Sequence, residues 1–171
     1  MTYIYEKGYI IADILTFLRL IISLFLFVLA LGRRKTFDYF MSLVLFAWAT
    51  DALDGHFARK SGHPGKFGHR EGWVDWVFYI ACLFYSTYLG YYSYFFFIGI
   101  ILVNLFIYFF IKKSDSVQMS FEFIYILLSF RVLYQESPFW TLVVVGWTGF
   151  VIAFKWNRLK GQVSYFLRGW R

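Results

Sequence analysis

DALDGHFARKSGHPGKFGHREGWVD, Asp51 to Asp75, is the stretch on which the reading of this chain turns. It carries four carboxylates, Asp51, Asp54, Glu71 and Asp75, in a sequence otherwise dominated by hydrocarbon. Asp51 and Asp54 are spaced i,i+3, and Glu71 and Asp75 i,i+4; each spacing puts two side chains on one face of a helix. Between the pairs, Gly62, Pro64, Gly65 and Gly68 supply the punctuation of a helix–turn–helix reversal. Such a reversal brings all four carboxylates together. Left unneutralised the cluster repels itself, and a bound divalent cation is the simplest remedy. On a helix drawn at about 100° per residue, Asp51, Asp54, Gly55, Ala58 and Arg59 share an arc of roughly 140°. That face offers two oxygen ligands, two small residues and a guanidinium able to hold a phosphate oxygen through two hydrogen bonds. Hard oxygen donors favour Mg2+ or Mn2+, with Ca2+ also open, and a pyrophosphate would complete the coordination shell.

The surroundings are membrane-like. The 171 residues are 60% hydrophobic, 26% aromatic and only 16% charged, which does not describe a soluble globular domain. The length fits a single membrane domain, residues 1–171, with no room for a large extramembrane one. A net charge of +7 raises the question of nucleic acid, but the basic residues lie in short clusters between apolar runs. That pattern points to the membrane surface and anionic lipids, and no nucleic-acid partner is expected. Cys82 is the sole cysteine, excludes an internal disulfide and reads as a small packing residue. The first apolar run is too long for a signal peptide and lacks a small-residue cleavage site, so it is expected to stay as a span.

Taken in order, the chain predicts an all-α integral membrane protein with six transmembrane helices. Residues 1–9 form an interfacial lead-in, and residues 155–171 an amphipathic tail lying on the membrane. The spans are expected at Ile10–Leu31, Phe37 to about Ala58, Glu71–Leu89, Phe95–Ile111, Val117–Tyr134 and Phe139–Phe154. Tyr88, Tyr91, Tyr92 and Tyr94 suit an interface belt. Arg19 lies deep in the first span and should face a protein partner or a watery cavity, whereas Asp13 suits the headgroup region. Arg131 is expected to reach the far interface or a buried partner. His56, His63 and His69 read as hydrated loop residues. Six spans place both termini on one side, with Lys7, Arg59, Lys60, Lys66, Arg70, Lys112, Lys113 and the basic tail, against Arg33–Lys35 on the other. The positive-inside rule then puts both termini and the carboxylate cluster at the cytoplasmic face of the cell membrane.

At Asp51, Asp54, Gly55, Ala58 and Arg59 the chain resembles the CDP-alcohol phosphotransferases, whose signature opens D-x2-D-G-x2-A-R. Gly68 stands where that signature has its later glycine. The closing D-x3-D departs from the pattern: positions 72 and 76 hold Gly72 and Trp76, and the acidic residues sit one earlier, at Glu71 and Asp75. A one-residue deletion in the turn, with Glu71 in place of the third aspartate, accounts for the shift. DILTFLR, Asp13 to Arg19, is similar to the Asn-x-Leu-Thr-x-x-Arg pattern with which the family often opens its first helix.

The resemblance implies displacement of CMP from CDP-diacylglycerol, or another CDP-linked lipid, by the hydroxyl of a small polar alcohol. It implies that Asp51, Asp54 and Glu71 hold metal and that Asp75 takes the hydroxyl proton and also touches metal. Gly55, Ala58 and Arg59 match the nucleotide- and pyrophosphate-binding part. Lys112 and Lys113 are candidates for a phosphate on the acceptor, and interface anchoring is the other reading of that pair. The short chain favours glycerol 3-phosphate as acceptor, although Trp76 follows the fourth acidic position where relatives making phosphatidylglycerophosphate commonly have lysine. Family members are often dimeric, which admits a homodimer. Two alternatives stand beside this reading: a non-catalytic lipid- or nucleotide-binding relative, and an aspartate-rich prenyltransferase, whose motifs lack G-x2-A-R.

Overall fold

The computed structural model describes residues 8–61, 71–111 and 115–169, and all of them belong to helices or to the turns between helices. There is no strand among them. The helices are α1 (Gly8–Ala30), α2 (Phe37–Ser61), α3 (Glu71–Tyr88), α4 (Tyr94–Phe106), α5 (Asp115–Glu136), α6 (Pro138–Phe154) and α7 (Trp156–Gly169). A 3-10 turn, Arg33–Thr36, leads into α2, and a π-turn, Ile107–Ile111, extends α4. Each expected span therefore falls on a helix, and the tail expected at the membrane surface is helical over most of its length. Among the described residues, three helical stretches, Gly8–Ala30, Tyr94–Ile111 and Asp115–Glu136, are long and apolar enough by themselves to cross a bilayer. A fourth results if α6 and the last part of α7, bent by 91°, count as one broken span. α2 and α3, which carry Asp51, Asp54, Glu71 and Asp75, are not among them. α6 has 17 residues; at 1.5 Å each they reach about 26 Å, less than the roughly 30 Å hydrocarbon core.

The chain divides into two compact units at Leu89 and Gly90. In the first, α1 is the central helix and packs on both α2 and α3. Its buried stripe, Ala12, Thr16, Arg19, Ser23, Leu26 and Ala30, repeats at three- and four-residue steps and is mostly small. Lipid tails are as apolar as leucine, so burial gives little drive for helix association in a bilayer; small residues that let backbones approach supply it instead. The facing stripes are Phe40, Val44, Ala47, Thr50 and Asp54 on α2, and Val74, Phe78, Ala81 and Tyr85 on α3. The opposite face of α1, with Ile14, Phe17, Ile21, Leu24, Phe25 and Val28, is exposed, as a lipid-facing surface should be.

Tyr85 closes the far end of this unit. Its hydroxyl donates to the Arg33 carbonyl at 2.5 Å, and its ring stacks on Phe40 with centroids 3.8 Å apart. Thr36 Oγ1 lies 3.3 Å from the same hydroxyl and donates to the carbonyl of Leu29 at 2.7 Å. Arg33 is the one described non-glycine residue with positive φ, at 50°, so the carbonyl that Tyr85 holds belongs to a strained residue.

In the second unit, Ser93 and Ser137 cap α4 and α6 by accepting from the Phe96 and Trp140 N–H groups, and Pro138 takes the first turn of α6. Tyr91 donates to Glu136 at 2.8 Å and Tyr92 to the Leu128 carbonyl at 3.1 Å, so two of the tyrosines expected in an interface belt are hydrogen-bonded within the protein. α7 meets the start of α5, where Tyr165 donates to Asp115 at 2.6 Å. That hydrogen bond, with the negative charge behind it, raises the Tyr165 phenol above its ordinary value of 10.0.

Two outcomes are expected. Tyr85→Phe should lower stability by about 1 kcal/mol, one hydrogen bond's worth, read from thermal unfolding in detergent. The Tyr165–Asp115 bond should be intact below the ordinary tyrosine range and lost as pH rises through the raised value. Tyrosinate titration of wild type against Tyr165→Phe isolates that phenol, and Asp115→Asn should bring its ionisation back down.

Candidate functional site

The site is built around a guanidinium. Arg19 is the twelfth of the 23 residues of α1, too far from either end for its charge to reach water along the helix surface. Its side chain turns inward and is 3% exposed. Nη1 meets Asp51 Oδ1 in a very short contact and lies 2.9 Å from Asp75 Oδ1, while Nη2 donates to Asp54 Oδ2 at 2.8 Å. Thr16, one turn earlier on α1, approaches the same Asp54 oxygen at 3.4 Å and donates to the Ala12 carbonyl at 3.1 Å. One cation thus gathers three carboxylates from two helices.

Local structure explains the convergence. Asp51 and Asp54 are one turn apart on α2, and both precede its end at Ser61 by about two turns or more. Asp75 is one turn into α3. α2 and α3 approach α1 from opposite chain directions, so the late part of α2 and the early part of α3 meet the same level of α1. Phe27 of α1 packs against Phe84 of α3 at 5.2 Å further along and maintains that register. The three carboxylates differ in access: the Asp54 side chain is 5% exposed, Asp75 30% and Asp51 44%. Asp54 is therefore committed to the protein interior, and the other two open outward.

Of the residues singled out in the sequence, Asp51, Asp54 and Asp75 come together. The surroundings of Gly55, His56, Ala58, Arg59 and Glu71 lie outside the described part of their helices, and His63, His69, Lys112 and Lys113 outside the described residues. Of the two surroundings expected for Arg19, a protein partner or a watery cavity, the structure shows protein partners. That its partners are the carboxylates themselves is new. The signal was present in the spacing: Thr16 and Arg19 share a face with the small residues Ala12 and Ser23, a polar patch on the packing stripe of a membrane helix. Part of the neutralisation that the sequence assigns to a metal ion is supplied by a guanidinium on the neighbouring helix.

A family model described as CDP-alcohol phosphatidyltransferase matches residues 9–156. The chain belongs to that family. The match takes in α1 to α6 and the whole of the Asp51–Asp75 stretch. Membership in the CDP-alcohol phosphatidyltransferases implies a membrane-bound transferase of phospholipid synthesis, with a CDP-alcohol donor and an alcohol acceptor. No curated protein and no solved structure matches the chain.

For this CDP-alcohol phosphatidyltransferase, the donor set suits a divalent cation. Asp51 and Asp75 face the same nitrogen, so their oxygens stand no further apart than two such contacts, and all the donors are hard oxygens. Among the described residues, no group of three or more His, Cys, Asp or Glu side chains is arranged as a ready-made metal cage, with the carboxylates instead turned onto Arg19.

The ion pairs should be strongly coupled. Arg19→Gln and Asp54→Asn should each destabilise the protein, because each leaves a buried charge short of a partner. The double variant should lose less than the sum by about 1–3 kcal/mol. Thermal unfolding of the four proteins checks this; additive losses would mean that the two side chains do not act as a pair.

Proposed function

We propose that the protein transfers the phosphatidyl group of CDP-diacylglycerol to a small polar alcohol and releases CMP, with glycerol 3-phosphate the first acceptor to try. The observation that carries the reading is the convergence of Asp51, Asp54 and Asp75, from two helices, within a protein of this family. Three carboxylates held at such close quarters in an apolar bundle, Asp54 among them buried, are costly, and structural needs alone would be met more cheaply by apolar packing.

In this reading Asp51, Asp54, Glu71 and Asp75 hold Mg2+ or Mn2+. The ion, when bound, neutralises the charge of the diphosphate. The residues themselves do the rest. Asp75, one of the two carboxylates open to the outside, accepts the proton of the acceptor hydroxyl. That oxygen bonds to the phosphatidyl phosphorus as the bond from phosphorus to the CMP oxygen breaks, and CMP leaves with the electron pair. Gly55 and Ala58 leave room for the nucleotide beside the α2 backbone, and Arg59 binds its phosphates. Lys112 and Lys113 keep two candidate roles, anchoring at the membrane interface and binding a phosphate of the acceptor.

The same reading has all six long helices, α1 to α6, crossing the membrane as one domain, with both termini and the open side of the cluster at the cytoplasmic face. α2 and α3 are counted as spans despite their charges because Asp51, Asp54 and Asp75 turn onto Arg19 instead of lipid. Lys and Arg are concentrated on the side shared by the two termini, as the positive-inside rule requires.

Purified protein in detergent, with CDP-diacylglycerol, Mg2+ or Mn2+ and a panel of alcohols, should release CMP with one acceptor. Asp75→Asn should slow that release by about 10²–10⁴-fold, as for loss of a positioned base, while CDP-diacylglycerol still binds. Binding without CMP release from any acceptor would overturn the catalytic reading in favour of a non-catalytic relative.

A further inference from the structure

The contacts of Arg19 divide the cluster into two halves. Nη2 pairs with Asp54, which is 5% exposed and also approached by Thr16, so this half is enclosed. Nη1 is shared by Asp51 and Asp75, which are 44% and 30% exposed, so this half can be reached from outside. Three carboxylates and one guanidinium sum to −2, a charge that a divalent cation would cancel. Yet the two carboxylates most accessible to such an ion are the ones that Nη1 holds, by one oxygen each. Arg19 Nε is buried and has no hydrogen-bond partner among the described residues, so the polar contacts of the guanidinium run through Nη1 and Nη2.

We infer that Arg19 is a built-in counter-cation that competes with the divalent ion for Asp51 and Asp75 while staying anchored on Asp54. This rests on reading the cluster as a divalent-cation site, and not on turnover. Without the ion, the guanidinium keeps three crowded carboxylates compatible with a packed helix trio. Binding of the ion requires Nη1 to release its oxygens, and the displaced positive charge stays close by. Both effects weaken the ion's hold. Arg19 therefore sets the cation affinity low, and its removal raises that affinity at the expense of the ion-free protein. A residue that served only to hold the carboxylates in position would have the opposite effect, since its loss would scatter them.

The test is Mn2+ binding to EDTA-stripped protein in detergent, read from the loss of the free-ion paramagnetic resonance signal, with thermal unfolding alongside. Arg19→Gln should melt below wild type without Mn2+, gain more from Mn2+, and bind it about tenfold or more tightly, a change of about 1.4 kcal/mol or more. Arg19→Lys keeps the charge but cannot span both halves; it should fold and bind Mn2+ more tightly than wild type by a smaller factor. Arg131→Gln, an exposed change on α5, should match wild type. Equal or weaker Mn2+ binding by both Arg19 variants, or no binding by any of the proteins, overturns the inference. CMP release by the wild-type protein, measured in the same preparation, judges the catalytic reading separately. Release without an affinity change removes only the inference, and an affinity change without release removes only the enzyme.

Discussion

A guanidinium placed half-way along an apolar helix is the constraint on which the first unit depends. In hydrocarbon an unpaired arginine is prohibitive, and from the middle of a 23-residue helix the side chain cannot escape to water. It must find anions inside the protein, and they must arrive at the right level. That requirement explains why α2 delivers its carboxylates before its end and α3 delivers Asp75 in its second turn. It also explains the small residues beside Arg19. Ala12, Thr16 and Ser23 let both partner helices come close enough for short contacts.

The opposite end of the unit uses another device for the same purpose. Where Arg19 fixes the helices by charge, Tyr85 fixes them by a hydroxyl aimed at one carbonyl and a ring stacked on Phe40. With polar ties at two levels, any sliding or rotation of the three helices about one another would break an ion pair or a hydrogen bond. The apolar contacts between, Phe27 on Phe84 among them, need only fill space. This division suits a bilayer, in which packing apolar side chains together gains little over leaving them in lipid. In the second unit serine caps and tyrosine hydroxyls have a similar part, satisfying backbone and carboxylate groups that lipid cannot.

The positions of the helices could be read from the sequence because apolar runs and basic or glycine-rich breaks are local signals. Phe37 opens α2 and Glu71 opens α3 where the hydropathy pattern begins them. Membrane crossing was less legible. Hydropathy judges a helix as though all its sides met lipid, and α2 and α3 turn their charges toward a neighbour. The pairing of Arg19 was the hardest part to anticipate. Spacing shows which residues of one helix share a face, so Asp51 and Asp54 were recognised as a pair. It carries no information on which way that face turns relative to a helix 32 or 35 residues away in the chain. Depth marks Arg19 as a charge that must have a partner, and its place on the small-residue stripe of α1 shows which side of that helix the partner must approach.

The same physics sets fold and chemistry against each other at this cluster. A site meant to take up and surrender a divalent ion needs carboxylates that stand close without it, and such carboxylates push a membrane bundle apart. An external counter-ion would leave the bundle only as stable as its supply. A guanidinium on the central helix removes that dependence, and a bidentate side chain can do so in parts, one nitrogen for the enclosed Asp54 and the other for the accessible pair. Lysine, with a single nitrogen, could not divide the task this way. In the proposed reading the fold keeps the Nη2 half at all times, whereas uptake of a cation requires the Nη1 half to let go.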